Sequence, residues 1–176
     1  MKWKNIDAGA GYYCVTGTIT QWLPLLSREE MRRAVCYEIN VALRRFGGSM
    51  CAYVIMPDHL HLLVYLPDDG QLHRFCKCWR GRSARRIIDI LVAHGDVDTL
   101  AILREHANGT CKYAAWKDQA RALAMLDDAM LRQKIDYIHA NPVRRGLVGD
   151  PGGWPQSSWR YYSAGEVGDF VIVPAA

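Results

Sequence analysis

Two imidazoles, His59 and His61, stand two residues apart in the apolar, β-branched run Tyr53-Val54-Ile55-Met56-Pro57-Asp58-His59-Leu60-His61-Leu62-Leu63-Val64-Tyr65. Successive side chains on a strand point to opposite faces. A strand here therefore sets His59, His61, Leu63 and Tyr65 on one face and Leu60, Leu62, Val64 and Leu66 on the other. With a rise of about 3.3 Å per residue the two rings start roughly 6–7 Å apart at the backbone, close enough to converge on one metal ion. The plain alternative is a pair of half-exposed strand histidines that serve only as polar surface groups.

The surrounding chain supplies elements that would hold this strand. Pro57-Asp58 makes a turn, so 50–56 and 59–66 are expected to form a hairpin. Residues 11–20, rich in aromatic and β-branched types, read as an earlier strand. Ser27 with Glu30 forms a capping box ahead of Met31, Val35, Ile39, Leu43 and Phe46, which predicts a helix over 27–46 ended by Gly47-Gly48. A second helix is expected over 71–93, a loop over 94–110, and a short strand from Cys111 to Trp116. This order gives an α+β fold, a ferredoxin-like βαββαβ antiparallel sheet with helices 27–46 and 71–93 on one face and the histidines on the other. A C-terminal helix is expected from Ala120, with Asp127 and Asp128 as a possible fresh start and Asn141-Pro142 as its stop. The tail carries Trp154, Pro155, Trp159, Tyr161 and Tyr162 as a covering arm, and Phe170 to Val173 as a candidate edge strand.

Composition narrows the class without choosing a function. The 176 residues suit one domain, with a core over about 11–148 and an arm over about 149–176, and 50% of them are apolar. Lys and Arg number 22 against 18 Asp and Glu, a mild excess that matters only through its clustering at 74–86 and 144–145. The six cysteines at 14, 36, 51, 76, 78 and 111 contain no Cys-x-x-Cys pair, which argues against a disulfide framework or a zinc knuckle. Residues Met1 to Asp7 lack an apolar signal core, and no apolar run reaches the roughly 20 residues of a membrane helix, so a cytoplasmic protein without a membrane partner is expected. Within 71–93, Lys77, Arg80, Arg82, Arg85 and Arg86 are candidate phosphate contacts, as are Arg144 and Arg145, because guanidinium groups suit bidentate phosphate binding. A solvated basic face is the competing reading.

Met56-Pro57-Asp58-His59-Leu60-His61-Leu62-Leu63-Val64 resembles the MPNHxHLLV motif of the single-tyrosine HUH transposases, in particular their REP-associated tyrosine branch. Lys134 to Val148, with Tyr137-Ile138-His139-Ala140-Asn141-Pro142-Val143 at its centre, is similar to the family's YIHxNPVxxGLV block, and Trp154 with Ser157-Ser158 resembles its tail. The resemblance implies DNA transposition on single-stranded or stem-loop DNA. It implies that His59 and His61 hold a divalent metal, Mg²⁺ or Mn²⁺, while a tyrosine attacks the phosphodiester, and that the protein is a homodimer in which the helix after Trp116 approaches a partner's histidines. Two imidazoles would also accept transition metals.

One position departs from the family pattern. Trp116 aligns with the Trp of the family's WQxGY segment, and the tyrosine position then holds Ala120. Tyr113 is the nearest substitute nucleophile and Tyr137 the next; Asp118 or Gln119 would be the third metal ligand. Three functions follow for comparison: an HUH-type transposase or single-strand DNA endonuclease, a domesticated DNA-binding protein that does not cleave, and a metal-dependent hydrolase that activates water at His59 and His61.

Overall fold

Alternation along the first strand sets which way the sheet faces. In β1 (Gly11–Thr18), Tyr13 and Val15 are buried in one core and Cys14 in another. Strands β2 (Ser49–Ile55), β3 (His59–Leu66) and β4 (Arg121–Ala124) join it in a four-stranded antiparallel sheet ordered β2-β3-β1-β4. This computed structural model describes residues 9–175 apart from 110, 118 and 119. The expectations for Met1 to Asp7 and for Asp118 and Gln119 lie outside the described residues.

Helices α1 (Glu29–Arg45) and α2 (Gln71–Ala93) cover one face, packing Val35, Ile39, Phe75, Trp79 and Ile87 against Val15, Leu60, Leu62 and Val64. Each such buried apolar side chain contributes about 1.5–3 kcal/mol. The charges of α1 follow the helix dipole, with Glu29 and Glu30 in its first turn and Arg44 and Arg45 in its last. Gly47, at φ 62°, then supplies the left-handed residue that closes the helix end. Gly17 permits close packing on this face: a Cβ there would lie 2.7 Å from the Trp79 ring. The architecture is the expected ferredoxin-like α+β sheet. Helix α4 (Asp128–Arg144) lies on the opposite face, where Leu131 and Ile138 pack with Cys14, Val54, Met56 and Leu63.

Several elements differ from expectation, each for a local reason. The capping box is not formed, because Ser27 Oγ donates to the Pro24 carbonyl at 2.5 Å and the helix starts beyond a short 3₁₀ turn. Within 94–110 lies a helix, α3 (Val97–Glu105), started by Asp96, whose carboxylate accepts from the Thr99 N–H at 3.2 Å. It buries only Leu103, which is why it shows no apolar period. The fourth strand is 121–124 rather than 111–116; Trp116 makes a single bridge to Ile19, and Lys117 N–H donates to the Thr18 carbonyl at 2.8 Å. Pairing with β1 overrides the helix propensity of this alanine-rich stretch. Helix α4 therefore takes the later start, with Asp127 accepting from the Met130 N–H at 2.7 Å. It also runs through Pro142 to Arg144, so Asn141 is inside the helix and does not end it.

The tail closes the β2 edge. Ile55 N–H donates to the Gln156 carbonyl at 2.8 Å, Tyr53 N–H to Ser158 Oγ at 2.9 Å, and Trp154 Nε1 to the Ile55 carbonyl at 3.0 Å. After α5 (Trp159–Ala164), the chain returns to the same edge, where Ile172 makes one bridge with Met50 instead of the expected strand. Among the described residues, no helix is long and apolar enough to cross a membrane.

Candidate functional site

The register of β1 and β3 places Thr18 opposite His59 and Thr16 opposite His61, on the sheet face away from α1 and α2. The two imidazole centroids are 5.1 Å apart. His59 Nδ1 lies 2.5 Å from Asp58 Oδ1; a carboxylate only accepts, so this ring nitrogen is the donor. His61 Nδ1 is 2.8 Å from Thr16 Oγ1, a hydroxyl that can accept from the ring nitrogen or donate to it. Both rings are more than nine-tenths buried. Burial, reinforced by the charges of His59 and Lys134, lowers the His61 pKa to about 3, which keeps that ring neutral. Asp58 is shared, because its Oδ2 also accepts from Arg145 Nη2 at 3.0 Å.

These rings lie at the floor of an open pocket of about 670 Å³ between β1, β4 and α4. Lys117, Arg121, Lys134, Arg144 and Arg145 line it, together with the aromatic rings of Trp22 and Tyr137 and the buried Asn141. Tyr137 approaches His61 edge-on with centroids 5.5 Å apart, while Lys134 Nζ and Arg144 Cζ lie 4.9 and 5.3 Å from its ring centre. Among the described residues, none that lines the pocket beside these cations is acidic. Nor, among the described residues, is any group of three or more His, Cys, Asp or Glu arranged to hold a metal. Two imidazole nitrogens would suit a divalent ion only if its other ligands came from elsewhere, with Asp58 and Thr16 beside the rings to orient them.

The residues expected from sequence divide between two faces. Arg144 and Arg145 reach the histidine pocket, but α2 lies across the sheet from it. Arg82 and Arg86 both bind the buried carboxylate of Glu38. Burial would raise the Glu38 pKa, yet the two guanidinium groups win and hold it below the ordinary value. Arg80 donates to the Lys117 carbonyl at 3.2 Å, whereas Lys77 and Arg85 are exposed on the helical layer. Tyr113 packs against the helical-face core beside Lys112 and does not line the pocket. Ala120 is buried with Ala124 in that same core, and strand alternation puts Arg121 and Leu123 on the histidine face instead. The buried His139 is an anchor for the tail: its Nε2 is 2.8 Å from Ser158 Oγ, its ring meets Trp159 and Tyr162 edge-on, and burial lowers its pKa to about 4.

Sequence reasoning missed Trp22, Lys117, Arg121 and Lys134 as pocket groups. Asp58, adjacent to His59, offered a readable signal, since a carboxylate beside a candidate ligand imidazole is its natural acceptor.

No family model matches the chain. A candidate REP-associated tyrosine transposase of Haemophilus influenzae is 27% identical over 111 residues, covering 61% of this chain and 57% of that protein. The match thus spans little more than half the length of the relative. Among solved structures, a REP-associated tyrosine transposase bound to a REP hairpin superposes with a TM-score of 0.68 at 19% identity, covering 100% of this chain and 93% of the other. A candidate transposase from Deinococcus radiodurans gives a TM-score of 0.50 at 20% identity, covering 78% and 95%. The fold, with its histidine strand, and the sequence relative point the same way: this chain resembles the REP-associated tyrosine transposases.

Proposed function

We propose that the chain binds single-stranded or stem-loop DNA on the α4 face, seating a phosphate in the histidine pocket. The observation that carries this reading is the convergence of five cations on a pair of buried imidazoles, with no acidic group among the described residues of the lining. The hairpin bound to the solved structural neighbour supports the choice of DNA. His59 and His61 would hold Mg²⁺ or Mn²⁺, and such an ion, when bound, supplies charge stabilisation on phosphate oxygens. The chain's own residues position the phosphate: Arg144 and Lys134 from α4, Arg121 from β4, and Lys117 from the segment before it. Arg145 is held by Asp58 and joins α4 to the histidine strand.

Ala120 turns away from this pocket, so position 120 offers no attacking group, and the reading is of a DNA-binding relative that does not cut. One observation favours a second reading. Tyr137 is in the pocket beside His61, and a phenol there could act as nucleophile in strand cleavage. The test is to mix the purified protein with labelled stem-loop DNA, with and without Mn²⁺, measuring anisotropy for binding and a denaturing gel for covalent adduct. We expect salt-dependent binding without adduct. An adduct that disappears in Tyr137→Phe would establish the second reading, and absence of binding at low salt would sink both. Light scattering at micromolar protein, with and without DNA, tests the homodimer that the resemblance implies.

A further inference from the structure

We propose that Trp22 is a stacking shelf for one unpaired nucleobase at the mouth of the histidine pocket, an inference that rests on the DNA-binding reading above. Two consecutive non-glycine residues, Gln21 at φ 53° and Trp22 at φ 56°, adopt the left-handed backbone conformation. That conformation is unfavourable for bulky L-residues and persists only where the surroundings over-determine it. Here they do. Ile19 N–H donates to the Asp58 carbonyl at 2.8 Å, Thr20 N–H to the Ala115 carbonyl at 3.0 Å, and Leu26 N–H to the Pro57 carbonyl at 2.9 Å. The Gln21 side chain also meets His106 beyond α3.

Burial does not account for the strained turn, because Trp22 remains 49% exposed. The turn holds the indole beside the pocket, edge-on to His59 with centroids 6.0 Å apart, and with Lys117 Nζ over one face of the ring at 5.5 Å from its centre. An exposed indole offers a π-face to any base, and Lys117 and Arg121 stand ready for the adjoining phosphate. Paired bases are already stacked within a duplex, so the shelf selects an unpaired one.

The experiment compares two probes of the full chain at equal salt: a short single strand carrying one 2-aminopurine, and a blunt duplex with the same number of phosphates. In Trp22→Ala, single-strand affinity should fall about tenfold while duplex affinity and the salt slope stay unchanged, and Trp22→Phe should retain most of the binding. Quenching of 2-aminopurine on binding should be lost only in Trp22→Ala. Equal weakening for both probes, or unchanged single-strand affinity and quenching in Trp22→Ala, overturns the shelf while leaving the DNA reading intact. Wild-type protein that binds neither probe overturns the DNA reading and the shelf with it. Thermal melting of each variant separates loss of binding from loss of fold, and restoration by Trp22→Phe gives a second check where Trp22→Ala is unstable.

Discussion

The molecule has two basic surfaces, and they differ in what their cations already hold. On the helical layer, Arg82 and Arg86 are committed to one buried carboxylate, Glu38, with side chains only about half exposed. Around the histidine pocket, Lys117, Arg121, Lys134 and Arg144 converge with no acidic group among the described residues of the lining, while Arg145 is paired with Asp58. The number of basic residues along a helix therefore says less about polyanion binding than the location of the nearest carboxylate does. A buried anion converts neighbouring arginines into structural groups, whereas a face without one leaves them for a ligand.

The largest effect that sharpens this contrast should come from the pocket. Replacing Arg121, Lys134 and Arg144 together with alanine should lower stem-loop affinity about a hundredfold at low salt. It should also flatten the log–log salt dependence by roughly 0.9 for each phosphate that is no longer neutralised, measured by anisotropy titration. Replacing Arg82 and Arg86 should act on the fold instead. It strands the Glu38 carboxylate, and we expect a melting temperature lower by about 5 °C with little change in DNA affinity. Because the folded pKa of Glu38 is depressed, its contribution is present above the ordinary carboxyl pKa and is lost as pH falls through the folded value.

A third prediction concerns the tail anchor. The folded pKa of His139, about 4 against an ordinary 6.5, means that acid favours the unfolded chain. Stability from this group is full above pH 6.5 and declines as pH falls from there toward 4, by about 2 kcal/mol between pH 7 and pH 5. Denaturant titrations at the two pH values should show that drop reduced in His139→Gln. The smallest effect should come from Lys77→Ala with Arg85→Ala, which should alter stem-loop affinity less than about threefold. A loss there as large as that of the pocket variant would break the comparison between the surfaces.

Much of the site was legible because a period of two is hard to disguise. The alternation through Leu60, His61, Leu62 and Leu63 places the histidines opposite the helical core, and the structure keeps that face. The basic helix misled for a different reason. Glu38 lies 44 and 48 residues from Arg82 and Arg86, and no local pattern reports such a pairing. The stretch 120–126 was ambiguous because its alanines favour helix, while its alternation also suits a short strand against β1. That shift has chemical weight: it makes position 121, rather than 120, the residue that faces the histidines. Arg121→Tyr is accordingly the substitution that brings a phenol to the pocket, whereas Ala120→Tyr overpacks the helical core.

The tail along β2 also bears on how the protein avoids joining to other chains. An uncovered edge strand offers its row of amides and carbonyls to any other extended chain, and β2 would be such a template. Trp154, Gln156, Ser158 and Val173 occupy those groups from both directions, while β4 at the other edge is only four residues long. Loss of the tail would therefore turn the molecule into a seed for intermolecular strand addition, with precipitation as the visible outcome.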